Sequence, residues 1–495
     1  MLVQLRLASA ATARRQTTLS RSLAGAICAA AAGISLLSAC KTLSPDGGMD
    51  AVAGVARDSL NSDVAAIRTP EQAAAARSRI DALLRRPLTA RAAVQIALLN
   101  NRGLQAAYNA LGIAETAMVQ ASLPPSPRIA LQRISGDVET EIERHIIGDI
   151  LALATLPARS DIAGDRFRQA QLEAAAATLR VAAETRRAYY RAVAAVETVG
   201  LLEQAAAAAE TANNLAKRLA ESGGMNKLDQ AREEVLYAEI GAQLAKARGL
   251  VASERERLVR AMGLSDKKDL AFKVPSSLPP LPTRPRSAPS VEMQAVARRL
   301  DLQIARIELD ALAKSYGLTQ ATRFLNLLEL SGAGKTTIDK TTGERIVDLG
   351  VGVEFQIPLF DFGASRVREA EETYMQAVNR LAEKAVNARS QARDAYQRYR
   401  GSYDIAARYR NQVLPLRQTI SDELLLRYNA MMADVFGLLE EARARATSAT
   451  TGVEAERDFW LASVDLDAAI QDGGVPTATE DNSSVTSAST GADGH

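Results

Sequence analysis

The clearest pattern along the chain is the stretch "VDLGVGVEFQI", in which Val347, Leu349, Val351, Val353, Phe355 and Ile357 fall on one face of an extended strand. Asp348, Gly350, Gly352, Glu354 and Gln356 fall on the other face. About ten tilted residues of this kind cross a bilayer, with the apolar face towards lipid and the polar face towards a lumen. Taken alone, the strand fits a soluble sandwich equally well. Residues 324–330 are predicted to pair with it, and residues 128–135 and 146–156 to form a second pair, although these three alternate less cleanly.

From Asp361 onward the period changes. Val367, Tyr374, Leu381, Ala388 and Ala395 recur every seven residues, as do Val378, Ala385, Ala392, Tyr399 and Ala406, with Arg, Glu, Gln and Lys between them. Two apolar rows mean two neighbouring helices. A helix of ~50 residues extends roughly 75 Å, far beyond the usual globular helix. A coiled coil accounts for the helix, but not for helices joined to strand pairs twice over.

That joining happens twice because the chain repeats. The stretch 275–289, "PSSLPPLPTRPRSAP", cannot be helix or central strand, since its prolines remove backbone donors and fix φ. On either side of it Leu104-Gln105-Ala106-Ala107 matches Leu302-Gln303-Ile304-Ala305, and Pro157 corresponds to Pro358 at the start of very long helical stretches. Each half reads helix, strand, strand, long helix, turn, helix. The predicted division is a first repeat over 88–274, the Pro-rich linker 275–289 and a second repeat over 290–472. The polar tail 473–495 is expected to be disordered.

Composition suits closely packed helices: alanine is abundant, aromatics make up 4% and charged residues 24%. Arg6, Arg14, Arg15 and Arg21 precede an apolar run from Leu23 to Leu37, and the first forty residues contain no Asp or Glu. This is the layout of a secretion signal, here residues 1–39, too short to span a membrane comfortably. Removing it takes the formal charge from +2 to −2, which gives no reason to expect nucleic acid as a partner. The segment ends in Leu37-Ser38-Ala39-Cys40, which resembles a bacterial lipobox and implies a lipid on Cys40 and a lipidated segment over 40–87. Lys41 after it favours the outer membrane by the lipoprotein sorting pattern.

The remaining chemistry is sparse. Cys28 lies within the signal, so no disulfide or thiolate zinc site is expected in the mature chain. His145 and His495 are the only histidines, which disfavours a catalytic triad or a histidine metal cluster. His145 is expected to be a solvated residue in the charged run "EIERH". The stretch "SGAGKTT" ends like a phosphate-binding loop, but Glu329 stands where the first glycine belongs and no helix pattern follows Thr336. It is expected to be a solvated loop between two strands. No enzymatic activity and no cofactor are expected.

The segment "VGVEFQIPLFDFGASRVREAE", Asn100-Asn101 followed by Leu104, and "ASLPPSP" before the first strand pair resemble the TolC-like outer-membrane efflux channel family, in its lipoprotein branch, over residues 88–472. The resemblance implies a mainly α fold with a small transmembrane β part. Three chains would share a twelve-stranded β-barrel and a long-helix periplasmic α-barrel. It implies a homotrimer working with a periplasmic adaptor and an inner-membrane transporter as a passive exit duct, its barrel in outer-membrane lipid. Asp348, Glu354 and Gln356 would face the barrel lumen. The two helix turns would form the periplasmic mouth and adaptor-docking surface, with Gly223, Gly224, Met225 and Asp229 at the first and Met431, Met432 and Asp434 at the second. The tip methionines Met225, Met431 and Met432 are expected to be adaptable apolar contacts of a docking surface, with soft-metal handling as the alternative reading. The first half departs from the family, with "LPARSD" where the second half has "IPLFDFG", and Met431 and Met432 stand where glycine is expected. The competing reading is a lipidated periplasmic adaptor, which would have one helical hairpin between glycine-rich β domains.

Overall fold

The computed structural model describes residues 43–265, 269–287, 290–433 and 435–472. The signal segment, Cys40, Asp434 and the tail from 473 lie outside the described residues. The first half contains α1 (Asp50–Leu60), α2 (Pro70–Leu84), α3 (Ala90–Asn100), α4 (Arg102–Ala121), β1 (Arg128–Ser135), β2 (Glu139–Asp149), α5 (Ile150–Ala154), α6 (Leu156–Glu221) and α7 (Lys227–Met262). The second contains α8 (Val291–Arg298), α9 (Leu300–Ala321), β3 (Leu327–Asp339), β4 (Arg345–Gln356), α10 (Ala364–Arg408), α11 (Leu414–Asn429) and α12 (Val435–Gln471), with a π-helical turn (Tyr409–Val413) between α10 and α11.

Two compact units result, and each draws on both repeats. Of the described residues, one takes in 43–47, 113–167 and 311–373, and the other those within 48–112, 168–310 and 374–472. The first holds a single antiparallel sheet in the order β1-β2-β3-β4. The pair from each half therefore joins the pair from the other through β2 and β3.

Two of the expected strands sit elsewhere. The second strand of the first pair runs Glu139–Asp149, not 146–156, because Glu141, Glu143 and His145 alternate with Ile142, Arg144 and Ile146. Beyond it the chain turns helical, as Asp149 caps α5 by accepting from the Ala152 N–H at 2.8 Å. His145 is accordingly a strand residue opposite Ala130 and Ala333. The third strand runs Leu327–Asp339, so "SGAGKTT" is not a loop: Ser331 to Thr337 pair with both β2 and β4. Its glycines face larger neighbours, with Gly334 opposite Leu349 and Gly332 opposite Val351, and Lys335 reaches Glu141 at 2.7 Å. The turn comes later, where Asp339 accepts from the Thr341 and Thr342 N–H groups and Gly343 takes φ +72°.

In the second unit the Pro-rich segment is tied to the helices by side chains that complete its free backbone groups. Trp460 Nε1 donates to the Pro279 carbonyl at 3.1 Å and the Tyr403 hydroxyl to that of Pro282 at 3.1 Å. Glu197 accepts from the Leu278 N–H at 2.8 Å, and the Tyr399 hydroxyl from that of Arg286 at 3.0 Å. Beneath it Tyr190 stacks on Trp460, and Phe459 packs against Trp460, Tyr399 and Tyr403. Among the described residues, three of the six buried aromatics, Tyr190, Tyr399 and Phe459, lie in this one layer. The two heptad rows of α10 are half-buried at Val367, Tyr374, Val378, Leu381 and Ala385, and buried at Ala388, Ala392, Ala395, Tyr399 and Ala406.

Candidate functional site

Strand pairing fixes which side chains share a face of the sheet. One face carries the rows Arg133–Ile142–Thr336–Val347, Leu131–Arg144–Gly334–Leu349 and Ile129–Ile146–Gly332–Val351, and continues through Gly148–Leu330–Val353 to Leu328–Phe355. Its large apolar groups stand in the open: Leu349 is 87% exposed, Val351 82% and Leu131 73%. Such a face is a contact surface for something apolar.

The opposite face is charged. Asp348 shares a row with Gln132, Glu143 and Lys335, Glu354 with Asp149 and Glu329, and Gln356 lies opposite Leu327. All three residues expected in the lumen lie on this face, away from Val353 and Phe355. Its cations are paired, Lys335 with Glu141 and Arg128 with Glu329, and His145 Nε2 lies 3.6 Å from Glu143. Carboxylates outnumber the cations, so the face is acidic. β1 and β4 each leave one edge unpaired within the chain, and a sheet in lipid tolerates no open edge.

The strand exit after β4 explains the most specific motif. Gly363 has φ +72°, and a Cβ there would lie 2.2 Å from the Arg323 carbonyl oxygen, so no other residue fits. Phe362 before it also has positive φ, at 49°. Asp361 Oδ1 accepts from the Gly363 N–H at 3.0 Å and Oδ2 from the Ser365 N–H at 3.3 Å, opening α10. These bonds, that to Gly363 foremost, hold the Asp361 carboxyl below the usual carboxylate range. Phe360, Phe362 and Phe324 are exposed around this exit, with the Arg323 guanidinium 4.6 Å from the Phe324 ring. An aromatic group at strand ends is the girdle expected at a membrane boundary. Sequence reasoning passed over it, although the spacing of Phe324 and Phe360 at the inner ends of β3 and β4 was a usable signal. In the first half Asp149 and α5 replace this turn, which is why "LPARSD" lacks the glycine.

The two helix turns have one geometry. At the first, the Gly223 N–H donates to the Ala220 carbonyl at 3.1 Å and the Gly224 N–H to Leu219 at 2.8 Å, with Gly223 at φ +78°. At the second, Met431 donates to Tyr428 at 3.0 Å and Met432 to Arg427 at 2.8 Å, with Met431 at φ +57°. Both helices end in the same left-handed cap, and Met431 fills the position of Gly223. Met431 is 95% exposed and Met432 78%. Met225 lies in the first turn just before Asn226, which caps α7 by accepting from the Asp229 N–H at 2.9 Å. Asp229 is bound locally, accepting from Asn226 Nδ2 at 2.6 Å and Arg232 Nη1 at 3.1 Å. It is a helix-start carboxylate within its own turn. Among the described residues no group of three or more His, Cys, Asp or Glu is arranged to hold a metal ion.

Comparison with known proteins places this geometry. Residues 293–419 match the family described as outer membrane efflux protein. The chain is 23% identical over 291 residues to the cobalt-zinc-cadmium resistance protein CzcC of Cupriavidus metallidurans, covering 58% of this chain and 68% of that one. Among solved structures, CusC superposes with a TM-score of 0.64 at 15% identity, covering 80% of this chain and 92% of its own. VceC of Vibrio cholerae gives 0.63 at 15% identity, covering 81% and 96%. The open-state MtrE channel of Neisseria gonorrhoeae gives 0.63 at 16% identity, covering 80% and 89%. The fold is therefore that of the outer-membrane efflux channels, and the resemblance to TolC-like channels read from the sequence is borne out in its fold.

Proposed function

We propose that this chain is one third of a trimeric outer-membrane channel of the TolC-like kind, the passive exit duct of a tripartite efflux system. The observation that carries the reading is the four-stranded sheet with one exposed apolar face, one acidic face and two unpaired edges. Three copies joined edge to edge would give twelve strands and no open edge, with Asp348, Glu354 and Gln356 facing the lumen. The paired long helices of each repeat supply the periplasmic tunnel, and the two turns its mouth, where an adaptor linked to an inner-membrane transporter docks. The rival adaptor reading requires one hairpin, whereas this chain has two, α6 with α7 and α10–α11 with α12. Cys40 anchors the mature N-terminus to outer-membrane lipid once the signal 1–39 is removed. No catalytic step is assigned, since a duct requires none.

The direct test is reconstitution. The purified chain should migrate as a heat-labile trimer and conduct ions in planar bilayers. A monomer that does not conduct would refute the channel. Mass spectrometry of the mature N-terminus checks the anchor: an unmodified chain starting elsewhere would rule out Cys40.

A further inference from the structure

The apolar face of the sheet carries three cations that the channel alone does not explain. Arg345 lies in the row nearest the two hairpin turns, Arg133 in the next row on that face, and Arg144 in the one after. All three are exposed, and none of their side chains makes a hydrogen bond or ion pair with another described residue. The rows farther from the turns, from Ile129–Ile146–Gly332–Val351 onward, contain no charge on this face. No carboxylate occurs in any of its rows, whereas the other face pairs each of its cations.

We propose that Arg133, Arg144 and Arg345 form a site on the outward face of the barrel for a phosphorylated lipid headgroup of the outer leaflet. The proposal rests on the channel reading, which puts this face in lipid and the hairpin turns outside the cell. An arginine on the lipid face costs about 2–4 kcal/mol at mid-membrane and roughly 0–1 near the boundary, so cations confined to one end mark that end as the polar boundary. Guanidinium groups favour phosphate by paired, planar hydrogen bonds, and three of them without a protein anion leave their donors open to an anion from outside. The surface around them is built to admit it. Arg144 lies opposite Gly334, which has no side chain to block the guanidinium from lying along the sheet. Thr336, beside them on the same face, is 1% exposed and its Oγ1 has no partner. Acyl chains would then cover Leu131, Leu349, Val351 and Ile129 below.

The test uses the full-length trimer in phosphatidylcholine nanodiscs containing either lipid A or lipid A stripped of its phosphates, with bound lipid read by native mass spectrometry. Wild type should retain the phosphorylated form selectively. The Arg133→Gln/Arg144→Gln/Arg345→Gln variant should lose roughly fivefold per arginine and about a hundredfold in all. Equal retention of the two lipids by wild type, a comparison that requires no variant, overturns the site, as does displacement of the lipid by inorganic phosphate. A wild-type trimer that conducts but shows no preference refutes this site alone. A chain that neither conducts nor enters nanodiscs refutes the channel reading with it.

Discussion

Asn101 and Arg299 hold the same backbone shape at the same step of the two repeats. Asn101 has φ −66° and ψ 115° between α3 and α4, and Arg299 has φ −60° and ψ 125° between α8 and α9. Each break is secured differently. Asn101 Oδ1 accepts from the Leu104 N–H at 3.1 Å, capping α4, while its Nδ2 donates to the Ala261 carbonyl at 3.2 Å. Arg299 forks onto Asp301 at 3.0 and 2.8 Å and donates to Gln391 at 2.8 Å from a site only 3% exposed. Arg299→Ala leaves Asp301 and Gln391 without their donor and should cost about 2–3 kcal/mol, against about 1 kcal/mol for the lost cap in Asn101→Ala. Thermal unfolding of the purified protein measures both. A larger loss for Asn101→Ala would contradict this ranking.

Gly263 gives a sharper test of the same neighbourhood. It ends α7 at φ +69°, and a Cβ there would lie 2.9 Å from the Asn100 carbonyl oxygen and 3.0 Å from Asn101 Cα. Backbone cannot yield as a flexible side chain does. Gly263→Ala should therefore cost more than the roughly 1–2 kcal/mol of left-handed strain alone. Gly241→Ala, with nothing within 4 Å of its added Cβ, should stabilise or leave the melting point unchanged.

The two faces of β4 predict opposite responses to one substitution. Val353→Arg places a charge in a row beside Leu330 and Gly148 and should impair assembly by about 2–4 kcal/mol if that face meets lipid. Gln356→Arg, on the acidic face, should be tolerated. Equal yields of heat-labile trimer from the two variants would invert or abolish the assignment.

β4 was legible because its alternation is uninterrupted, and the long helices because a seven-residue period survives over many turns. β3 was not, because Ser331 to Thr337 are, apart from Lys335, small residues whose partners, Val347, Leu349 and Val351, supply the apolar surface; a strand of this kind carries no hydrophobic signal of its own. β2 was obscured by its Glu and Arg residues, whose sidedness appears only when Glu143 is set beside Lys335 and Ile146 beside Gly332. Register depends on distant strands, so one strand cannot reveal it. The paired turns were located from broken helical patterning, but that Met431 occupies the place of Gly223 follows only from the backbone hydrogen bonds.

Acidity bears on the helical unit through Asp472. Its side chain is 4% exposed, and burial pushes the carboxyl up to about 6, with Arg180 at 3.8 Å pulling the other way. A carboxyl raised on folding binds its proton more tightly in the folded state, so its stabilising effect is full below the unfolded value near 4 and is lost as pH rises through about 6. At neutral pH Asp472 should therefore oppose folding, by on the order of 2–3 kcal/mol. Asp472→Asn should raise the melting temperature near pH 7 and do little near pH 4. The same gain at both pH values would show that the carboxyl does not titrate in this window.

The second helix turn offers a separation of folding from docking. Met431 bears a left-handed backbone that glycine adopts freely, so Met431→Gly should stabilise the turn by about 1 kcal/mol while removing an exposed apolar side chain. Replacing Met431 and Met432 with aspartate keeps the chain length and adds charge to the same surface. If the turn docks an adaptor, both changes should reduce export in cells, the double aspartate more severely, although Met431→Gly yields the more stable trimer. A contribution to folding alone predicts the reverse for Met431→Gly, with export unchanged or improved. Asp229 provides the control, because its carboxylate is engaged by Asn226 and Arg232 within its own turn. Asp229→Asn should leave conductance in planar bilayers unchanged, whereas a marked fall in cation selectivity would mean that this carboxylate faces the permeating ion after all.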